Sequence, residues 1–328
     1  MGTPEFAVAA LAKLLNAGLN IAGVVTAPDK PGGRGLEMQQ SAVKKYSTEQ
    51  GLRILQPEKL KNPQFLDQLK SLHADLQIVV AFRMLPEIVW NMPPMGTVNL
   101  HGSLLPQYRG AAPINWAIIN GEKETGVTTF KLQHEIDTGN ILLTAVIPIG
   151  EEETAGELHD RMKETGAELL LSTVKGLTEG NLVETPQSRP GEDLSFLKRP
   201  DGDRQTVLKK APKIFTETCQ IDWNKPVEEV YNLVRGLSPY PAAFTFLEGK
   251  KLKVFRVDKV YEEQEADKGN EVYKVNKVPV VAAGEFETDK KTFLYFACMN
   301  GYIYIKELQL EGKKKMMVED FLRGYRWG

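Results

Sequence analysis

The sequence predicts an α/β fold in which a Rossmann-like, doubly wound and mostly parallel sheet precedes a small C-terminal β-barrel of the OB-like type. Strand-like and helical stretches alternate over residues 1–180, which is typical of parallel α/β sheets. Proline and glycine then punctuate a polar stretch at 181–214, the pattern of an extended linker. Short alternating runs with glycine-containing turns fill 215–328 and favour a barrel. We therefore expect an α/β domain at 1–180 that is large enough to hold an active site, a linker at 181–214 and a barrel domain at 215–328.

The first predicted helix starts at Thr3-Pro4, because threonine is a suitable capping residue and proline fits the first helical position. Its apolar residues recur at helical spacing until Gly18. Further elements of the first domain are predicted as strands at 21–26, 76–82, 97–101, 127–132 and 141–149 and as a long helix at 155–177. In the second domain we predict a helix at 227–235 and strands at 243–247, 252–257, 271–275, 293–298 and 302–308.

The sequence predicts that the first strand of the doubly wound pattern is absent from this chain. Such a domain normally opens with a strand that feeds its first helix, whereas this sequence starts directly at the helix. We state as a hypothesis that the native protein has residues before Met1. Without that strand, the neighbouring strands are expected to lose hydrogen-bond partners.

Composition and charge limit the classes of function. The chain of 328 residues is 42% hydrophobic and 26% charged, a profile that allows two globular domains with full cores. No apolar run reaches the ~18 residues of a membrane span, and no signal peptide is recognisable, so we expect a cytoplasmic protein without a membrane partner. Two cysteines are too few for a disulfide framework or a typical zinc site, and no metal is expected.

The densest cluster of reactive residue types lies at Asn99 and His101. Side chains alternate along a strand, so these two face the same side, where the strand ends and Gly102 begins a loop. Ligands bind at that carboxyl edge in open α/β sheets. An amide and an imidazole there suit a reaction that develops negative charge on oxygen. A polar pair that is satisfied inside the core is the alternative, and the spacing alone leaves both open.

A second candidate is Asp137, in the tripeptide Asp-Thr-Gly. This tripeptide is most often a simple turn. A carboxylate beside a histidine would, however, orient its ring and favour the imidazolium form. His134 lies three residues away and could compete for that role, so both interpretations stay open here.

Two basic segments could contact phosphate groups. Arg34 lies in the glycine-rich loop 31–35, which is either a mobile surface loop or a phosphate contact. The glycines match neither a dinucleotide fingerprint nor a Walker loop, so we expect no nucleotide cofactor. Lys313, Lys314 and Lys315 form either a solvated turn or, with Arg323 and Arg326, part of a basic surface. The formal net charge of −2 does not by itself indicate a nucleic-acid binder.

The sequence resembles the folate-dependent formyltransferases over nearly its whole length. The resemblance is carried by Asn-Leu-His-Gly-Ser-Leu-Leu-Pro at 99–106, Tyr-Arg-Gly-Ala-Ala-Pro-Ile at 108–114, Glu-Thr-Gly-Val-Thr at 124–128 and Asp-Thr-Gly at 137–139. Residues 1–8 look like the family's first strand-to-helix turn. The loop at 31–35 and the segments 221–223 and 237–241 resemble the branch of the family that acts on methionyl-tRNA.

The resemblance implies a reaction and its residues. The first domain would bind 10-formyltetrahydrofolate, and the α-amine of initiator methionyl-tRNA would attack the formyl carbon, giving N-formylmethionyl-tRNA for translation initiation. Asn99 and His101 would stabilise the oxyanion, and Asp137 would set the charge and orientation of His101. The barrel would help to hold the tRNA, Arg34 would enter the acceptor-stem region, and Lys313–Lys315 would extend the tRNA surface. No metal is implied, and a monomer is expected.

The resemblance also implies two folate-contacting segments, whose residues are Ser103, Leu104, Leu105 and Pro106 in one and Phe82, Arg83, Met84 and Leu85 in the other. The family's usual Tyr-Gly after the apolar strand is replaced here by Phe82-Arg83, so the contacts of the second segment are expected to differ from those of relatives.

Two rival functions remain at this point. Other members of the family formylate glycinamide ribonucleotide or amino sugars, and a related hydrolase releases formate, all with the same three residue types. The loop at 31–35 and the C-terminal barrel favour tRNA as the acceptor. A non-catalytic tRNA- or folate-binding protein on the same scaffold is the alternative from another class.

Overall fold

The computed structural model describes residues 1–32, 37–187, 207–261, 263–268, 271–276 and 281–327. The chain divides into two compact units. Unit 1 comprises Met1–Pro113, Glu124–Pro148 and His159–Ala211, and unit 2 comprises Ile114–Lys123, Ile149–Leu158 and Pro212–Gly328. The domain boundaries at 180 and 214 stay predictions.

Unit 1 is built on a twisted sheet with helices around it. The strands of this part of the chain are β1 (Val24–Val25), β2 (Lys30–Gly32), β3 (Glu37–Gln39), β4 (Ile54–Leu55), β5 (Gln77–Val80), β6 (Thr97–His101), β7 (Arg109–Gly110), β8 (Glu124–Lys131), β9 (Ile141–Pro148) and β10 (Lys210–Ala211). The helices are α1 (Glu5–Asn16), α2 (Ala42–Glu49), α3 (Pro63–Lys70), α4 (Glu87–Trp90) and α6 (Ala155–Thr178), whose first turn belongs to unit 2. Helix α5 (Pro113–Ile119) belongs to unit 2 except for its first residue.

The sheet is mostly parallel, as predicted. Strands β1 and β4 pair in parallel, as do β5 and β6, whereas β8 runs antiparallel between β6 and β9. Met1 and Gly2 connect the two groups, because the Gly2 N–H donates to the Val25 carbonyl at 3.1 Å and the Val80 N–H donates to the Met1 carbonyl at 2.9 Å. The strand order is therefore β4-β1, then residues 1–2, then β5-β6-β8-β9.

In a doubly wound sheet, the opening strand would lie between β1 and β5. In this chain, Met1 and Gly2 occupy one end of that position. Met1 and Gly2 provide hydrogen-bond partners to β1 and β5, as described above. At this end, the two strands therefore keep the hydrogen bonds that they were expected to lose. Beside Met1 and Gly2, β1 and β5 border an apolar cavity of about 370 Å³. Its walls come mainly from α1, from residues 19–25 and from residues 74–80.

The start of α1 differs from the prediction. The helix begins at Glu5, and Pro4 is its N-cap, with an extended backbone and no side-chain capping bond. The Pro4 carbonyl accepts the first helical hydrogen bond, from Ala7 at 2.9 Å. Thr3 does not cap the helix, because its carbonyl accepts instead from the Val43 N–H at the start of α2.

Unit 2 contains a curled antiparallel sheet, which agrees with the predicted barrel-like domain. Its strands are β11 (Ala243–Leu247), β12 (Lys250–Tyr261), β13 (Glu263–Lys268), β14 (Glu271–Asn276), β15 (Phe286–Thr288), β16 (Leu294–Cys298), β17 (Gly301–Leu310) and β18 (Met316–Met317). The order β11-β12-β17-β16-β15 is antiparallel throughout, with β18 beside β17, while β13 and β14 form a separate hairpin. Register shifts near Arg256 interrupt the β12–β17 ladder, and such irregularities bend a strand.

The core of unit 2 lies between this sheet and helix α7 (Val227–Leu237). Val227, Val230 and Val234 recur at helical spacing and are almost completely buried. Trp223 stacks on Phe296 with ring centroids 4.6 Å apart. Helix α8 (Val318–Gly324) closes the end of the core through its buried apolar side chains.

Both cysteines are free and buried in unit 2, as expected for structural thiols. Burial raises the pKa of the Cys298 thiol to about 12 and also raises the pKa of Cys219. Among the helices of the described ranges, none combines the length and apolar character that a bilayer crossing requires.

Candidate active site

Strand β6 brings Asn99 and His101 to the same face of the sheet. In the antiparallel register with β8, Asn99 lies opposite Phe130 and His101 opposite Thr128. His101 is buried, and its ring meets Phe130 edge to face. Asn99 is half-buried, and its side chain has no hydrogen-bond partner among the residues that the structure describes. A satisfied core pair would have one, so the geometry favours the interpretation of a site open to a ligand.

A backbone carbonyl fixes the orientation of the His101 ring. Nε2 lies 2.9 Å from the carbonyl oxygen of Tyr108. Since a carbonyl only accepts hydrogen bonds, Nε2 must carry a proton and donate it there. The second ring nitrogen, Nδ1, is therefore the one that can interact with a reacting group.

Asp137 faces this second nitrogen. Its Oδ2 lies 3.9 Å from His101 Nδ1, and both side chains are largely buried, at 12% and 7% exposed. Oδ2 also accepts a hydrogen bond of 3.0 Å from the Gly110 N–H. Asp137 adopts a left-handed backbone with φ of 54°, which aspartate tolerates better than most residues. Asp137 thus lies in a tight turn and beside His101 at once.

His134 does not compete for Asp137. Its Nε2 lies 3.3 Å from a carboxylate oxygen of Glu87, and its ring meets Trp90 edge to face. The His134 side chain is 76% exposed. The histidine that Asp137 faces is therefore His101.

The predicted folate segment at 103–106 is a tightly bonded loop. The Ser103 hydroxyl is fully buried and donates to the Gln107 carbonyl at 2.6 Å. Thr128 reaches the loop from β8, where its hydroxyl donates to the Ser103 carbonyl at 2.6 Å and accepts from the Leu105 N–H at 3.1 Å. The side chains of Leu105 and Pro106 are also buried, whereas Leu104 is half-buried. Thr128, which the sequence analysis missed, therefore positions this loop from opposite His101.

The side chains of the second predicted folate segment, 82–85, differ in burial and in their contacts. Phe82 and Leu85 pack against an apolar cluster of unit 1. The Arg83 guanidinium donates to the carbonyls of Pro57 and Glu58, and partial burial lowers its pKa. Met84 is 73% exposed. Met84 is therefore an exposed apolar side chain that is accessible to a ligand.

Sequence reasoning also missed Arg109 and Gln187. Arg109 is half-buried, and burial lowers its pKa while Asp137 and Glu135 act in the opposite direction. Both Arg109 Nε and Nη2 donate to Oε1 of Gln187, at 3.1 and 2.6 Å. A signal for Arg109 existed, because it lies within the segment 108–114 that carries the family resemblance. Gln187 had none, since it follows the last predicted helix in a polar stretch.

The predicted tRNA contacts are only partly visible. Arg34 lies outside the described residues. Lys313 and Lys314 are exposed in the turn after β17, whereas Lys315 pairs with Glu307 at 2.9 Å and lies over the Phe255 ring. Lys251 and Lys253 point to one face of the adjacent strand β12, because they alternate along it.

Lys251 and the Lys313 turn are neighbours, since the Glu311 N–H donates to the Lys251 carbonyl at 2.9 Å. Lys251 Nζ also lies 3.6 Å from the centroid of the Phe244 ring. We name Lys251, Lys253, Lys313 and Lys314 the lysine surface of unit 2. Sequence analysis could have identified Lys251 and Lys253, because these lysines alternate along β12.

Within the described ranges, no cluster of three or more histidine, cysteine, aspartate or glutamate side chains has a geometry that could hold a metal ion.

The fold and the site together define an α/β enzyme with an amide, an imidazole and a carboxylate at the carboxyl edge of its sheet. The chain belongs to the formyl transferase family. The model of the formyl transferase domain matches residues 1–174, and that of the formyl transferase C-terminal domain matches residues 213–326.

Curated relatives are similar over almost the entire chain. A methionyl-tRNA formyltransferase of Bacteroides fragilis is 48% identical over 328 residues, covering 99% of this chain and 94% of the relative. A methionyl-tRNA formyltransferase of Phocaeicola vulgatus is 51% identical over 332 residues, with the same coverage of 99% and 94%.

Solved structures share the fold at lower identity. The N-formyltransferase of Helicobacter canadensis, in complex with folinic acid and dTDP-3-aminofucose, superposes with a TM-score of 0.60 at 17% identity, covering 96% of this chain and 97% of that one. HypX from Aquifex aeolicus, in complex with tetrahydrofolic acid, gives a TM-score of 0.56 at 20% identity, covering 84% of this chain and 44% of that one.

Proposed function

We propose that this protein transfers the formyl group of 10-formyltetrahydrofolate to the α-amine of initiator methionyl-tRNA. The observation that carries the proposal is the His101–Asp137 pair, 3.9 Å apart, in a chain that aligns over 99% of its length with methionyl-tRNA formyltransferases. The product, N-formylmethionyl-tRNA, serves translation initiation. We accordingly place the enzyme in the cytoplasm and expect it to act as a monomer.

Asn99 and His101 supply the donors that this reaction needs. Attack of an amine on a formyl carbon puts negative charge on the formyl oxygen, and fixed N–H donors stabilise such charge better than mobile water does. The Asn99 amide has no protein partner among the described residues, so it can donate to that oxygen without first breaking a bond. The His101 ring, held at Nε2 by Tyr108, presents Nδ1 as the second donor when it is protonated.

Asp137 supports His101 from the other side. A carboxylate 3.9 Å from Nδ1, beyond hydrogen-bond distance, places a negative charge beside the nitrogen that faces the reacting group. The Gly110 N–H holds the carboxylate in that position. The attacking amine loses a proton as the new C–N bond forms. The intermediate then collapses by breaking the bond between the formyl carbon and N10 of the folate, which takes up a proton and leaves as tetrahydrofolate. We expect the His101–Asp137 pair to take part in this proton transfer.

The folate would lie against the loop 103–106 and the segment 82–85. Because the side chains of Ser103, Leu105 and Pro106 are buried, we expect this loop to contact folate through its backbone and Leu104. We expect Met84 to contribute an exposed apolar side chain. The chemistry proposed here requires no metal.

The tRNA would contact Arg34 in unit 1 and basic side chains in unit 2. Lys313 and Lys314 are exposed and available to phosphate groups, and Lys251 and Lys253 extend the same lysine surface. Lys315 is engaged by Glu307, so its contribution is expected to be smaller.

A formyl-transfer assay with 10-formyltetrahydrofolate tests the proposal. Initiator methionyl-tRNA, elongator methionyl-tRNA and glycinamide ribonucleotide are supplied as acceptors in parallel reactions. We expect rapid formylation of the initiator methionyl-tRNA and little of the other two. Turnover of glycinamide ribonucleotide without turnover of methionyl-tRNA would overturn the proposed acceptor.

A further inference from the structure

A single side-chain amide joins strand β7 to the loop that carries Asp137. Oε1 of Gln187 accepts both hydrogen bonds from Arg109, at 3.1 Å from Nε and 2.6 Å from Nη2. Nε2 of the same amide donates to the Gly139 carbonyl at 2.6 Å. Gln187 is half-buried and lies in the segment that follows the last helix of unit 1.

These contacts close a ring around Asp137. Gly139, at one end of the Gln187 bridge, lies two residues after Asp137. Arg109, at the other end, directly precedes Gly110, whose N–H is bonded to the Asp137 carboxylate at 3.0 Å. The position of that carboxylate therefore depends on two backbone segments, which Gln187 links by side-chain bonds at both ends.

The chemistry of the bridge requires an amide. One end must accept two N–H groups from a guanidinium, and the other end must donate to a carbonyl. Glutamine carries both an acceptor oxygen and a donor nitrogen, whereas a carboxylate only accepts. We infer that Gln187 is a positioning residue, which holds the Asp137 loop against Arg109 and so fixes the Asp137 carboxylate beside His101. This inference rests on the proposed function.

The segment around Gln187 has anchors of its own. Glu184 pairs with Lys131 at 2.6 Å and accepts from the Asn140 amide at 3.0 Å. Thr185 and Ile141 exchange backbone hydrogen bonds of 2.8 and 2.9 Å. Loss of the Gln187 amide is therefore expected to release the bridge without detaching the segment, and Glu184 provides a matched control on the same segment.

Three variants of the full-length chain test the inference: Gln187→Met, Gln187→Glu and Glu184→Gln. Methionine keeps the length of the side chain and removes both polar groups. Glutamate keeps the acceptor for Arg109 but cannot donate to Gly139. We expect kcat to fall roughly tenfold in both Gln187 variants, with KM for folate and methionyl-tRNA within about twofold, because a misplaced catalytic group costs rate rather than binding. Glu184→Gln is expected to keep the kcat of the parent chain.

Hydrogen exchange gives a readout that does not depend on turnover. The Gly110 amide, bonded to Asp137, should exchange faster in both Gln187 variants and at the parent rate in Glu184→Gln. Parent values of kcat and of Gly110 exchange in the Gln187 variants would overturn the inference, as would an equal loss in Glu184→Gln. If the parent chain formylates none of the acceptors, the proposed function fails, and Gly110 exchange still decides whether Gln187 positions the loop.

Discussion

Nδ1 of His101 and Oδ2 of Asp137 are separated by 3.9 Å, which is longer than a hydrogen bond. The other ring nitrogen is bonded to the Tyr108 carbonyl, so the ring cannot turn towards Asp137 without losing that bond. The carboxylate therefore acts on His101 through its charge, and Nδ1 remains available to a reacting group. In this arrangement, His101 is the group that contacts the substrate, and Asp137 supports His101.

Replacement of His101 by alanine is expected to lower kcat by on the order of 10²-fold or more, because a donor to the developing oxyanion is lost. Formyl transfer to methionyl-tRNA is the measurement. His134→Ala is the matched control, since His134 is exposed and faces Glu87 instead of Asp137. Equal kcat values for His101→Ala and the parent chain would remove His101 from the mechanism.

Replacement of Asp137 by asparagine separates the charge of the side chain from its shape. Asparagine tolerates the left-handed backbone at this position and can still accept from the Gly110 N–H. We expect the melting temperature to change little and kcat to fall at least about tenfold, because the ring of His101 loses the stabilising charge. Steady-state kinetics and thermal unfolding are measured on the same preparation. A large fall in melting temperature with unchanged kcat per folded molecule would show that Asp137 serves the turn alone.

The sequence predicted the elements that alternate with clear periodicity. Strand β6 was predicted at its observed bounds, and so was β11, because apolar alternation or an apolar run between breakers leaves little freedom. Asn99 and His101 could be placed on one face for the same reason. The prediction that Thr3 caps α1 was wrong. Whether a threonine caps a helix depends on the hydrogen-bond partners of its backbone, and the Thr3 carbonyl bonds to α2 instead.

The parts of the site that sequence could not predict are those made by tertiary contacts. The Tyr108 carbonyl orients His101, and a backbone carbonyl has no side-chain signature. Gln187 meets Arg109 from 78 residues away along the chain. Asp137 looked like a turn residue because it is one, and only the fold places the same carboxylate beside a histidine.

Replacement of Arg34 by alanine is expected to weaken the use of tRNA while folate binding stays intact. If the guanidinium contacts a phosphate group, its loss should raise KM for methionyl-tRNA and make the salt dependence of that KM shallower. The measurement is formyl-transfer kinetics at several salt concentrations. Lys30→Ala tests whether any basic residue of this loop region would give the same result. Identical tRNA kinetics in the Arg34 variant at every salt concentration would exclude this role.

In a polypeptide produced with Met1 as its first residue, the Met1 amino group is expected to make the stability depend on pH. It donates to the Ile78 carbonyl at 2.6 Å, and burial lowers its pKa from 8.0 to about 5. Between these values the unfolded chain binds more protons than the folded chain, so the free energy of unfolding should rise as pH increases from about 5 to 8. Since each pKa unit corresponds to about 1.4 kcal/mol, the full difference is roughly 4 kcal/mol.

Acetylation of the Met1 nitrogen provides the matched comparison for this effect. An acetyl amide keeps an N–H for the Ile78 carbonyl and carries no titrating charge. Urea unfolding of both forms at pH 5, 6, 7 and 8 should therefore give curves that converge at pH 8 and diverge towards pH 5, with the acetylated form more stable at the acidic end. All other titrating groups are shared by the two forms, so their contributions cancel in the difference. A difference that stays constant over this range would mean that the pKa of the amino group is the same in the folded and the unfolded chain, which would contradict the prediction.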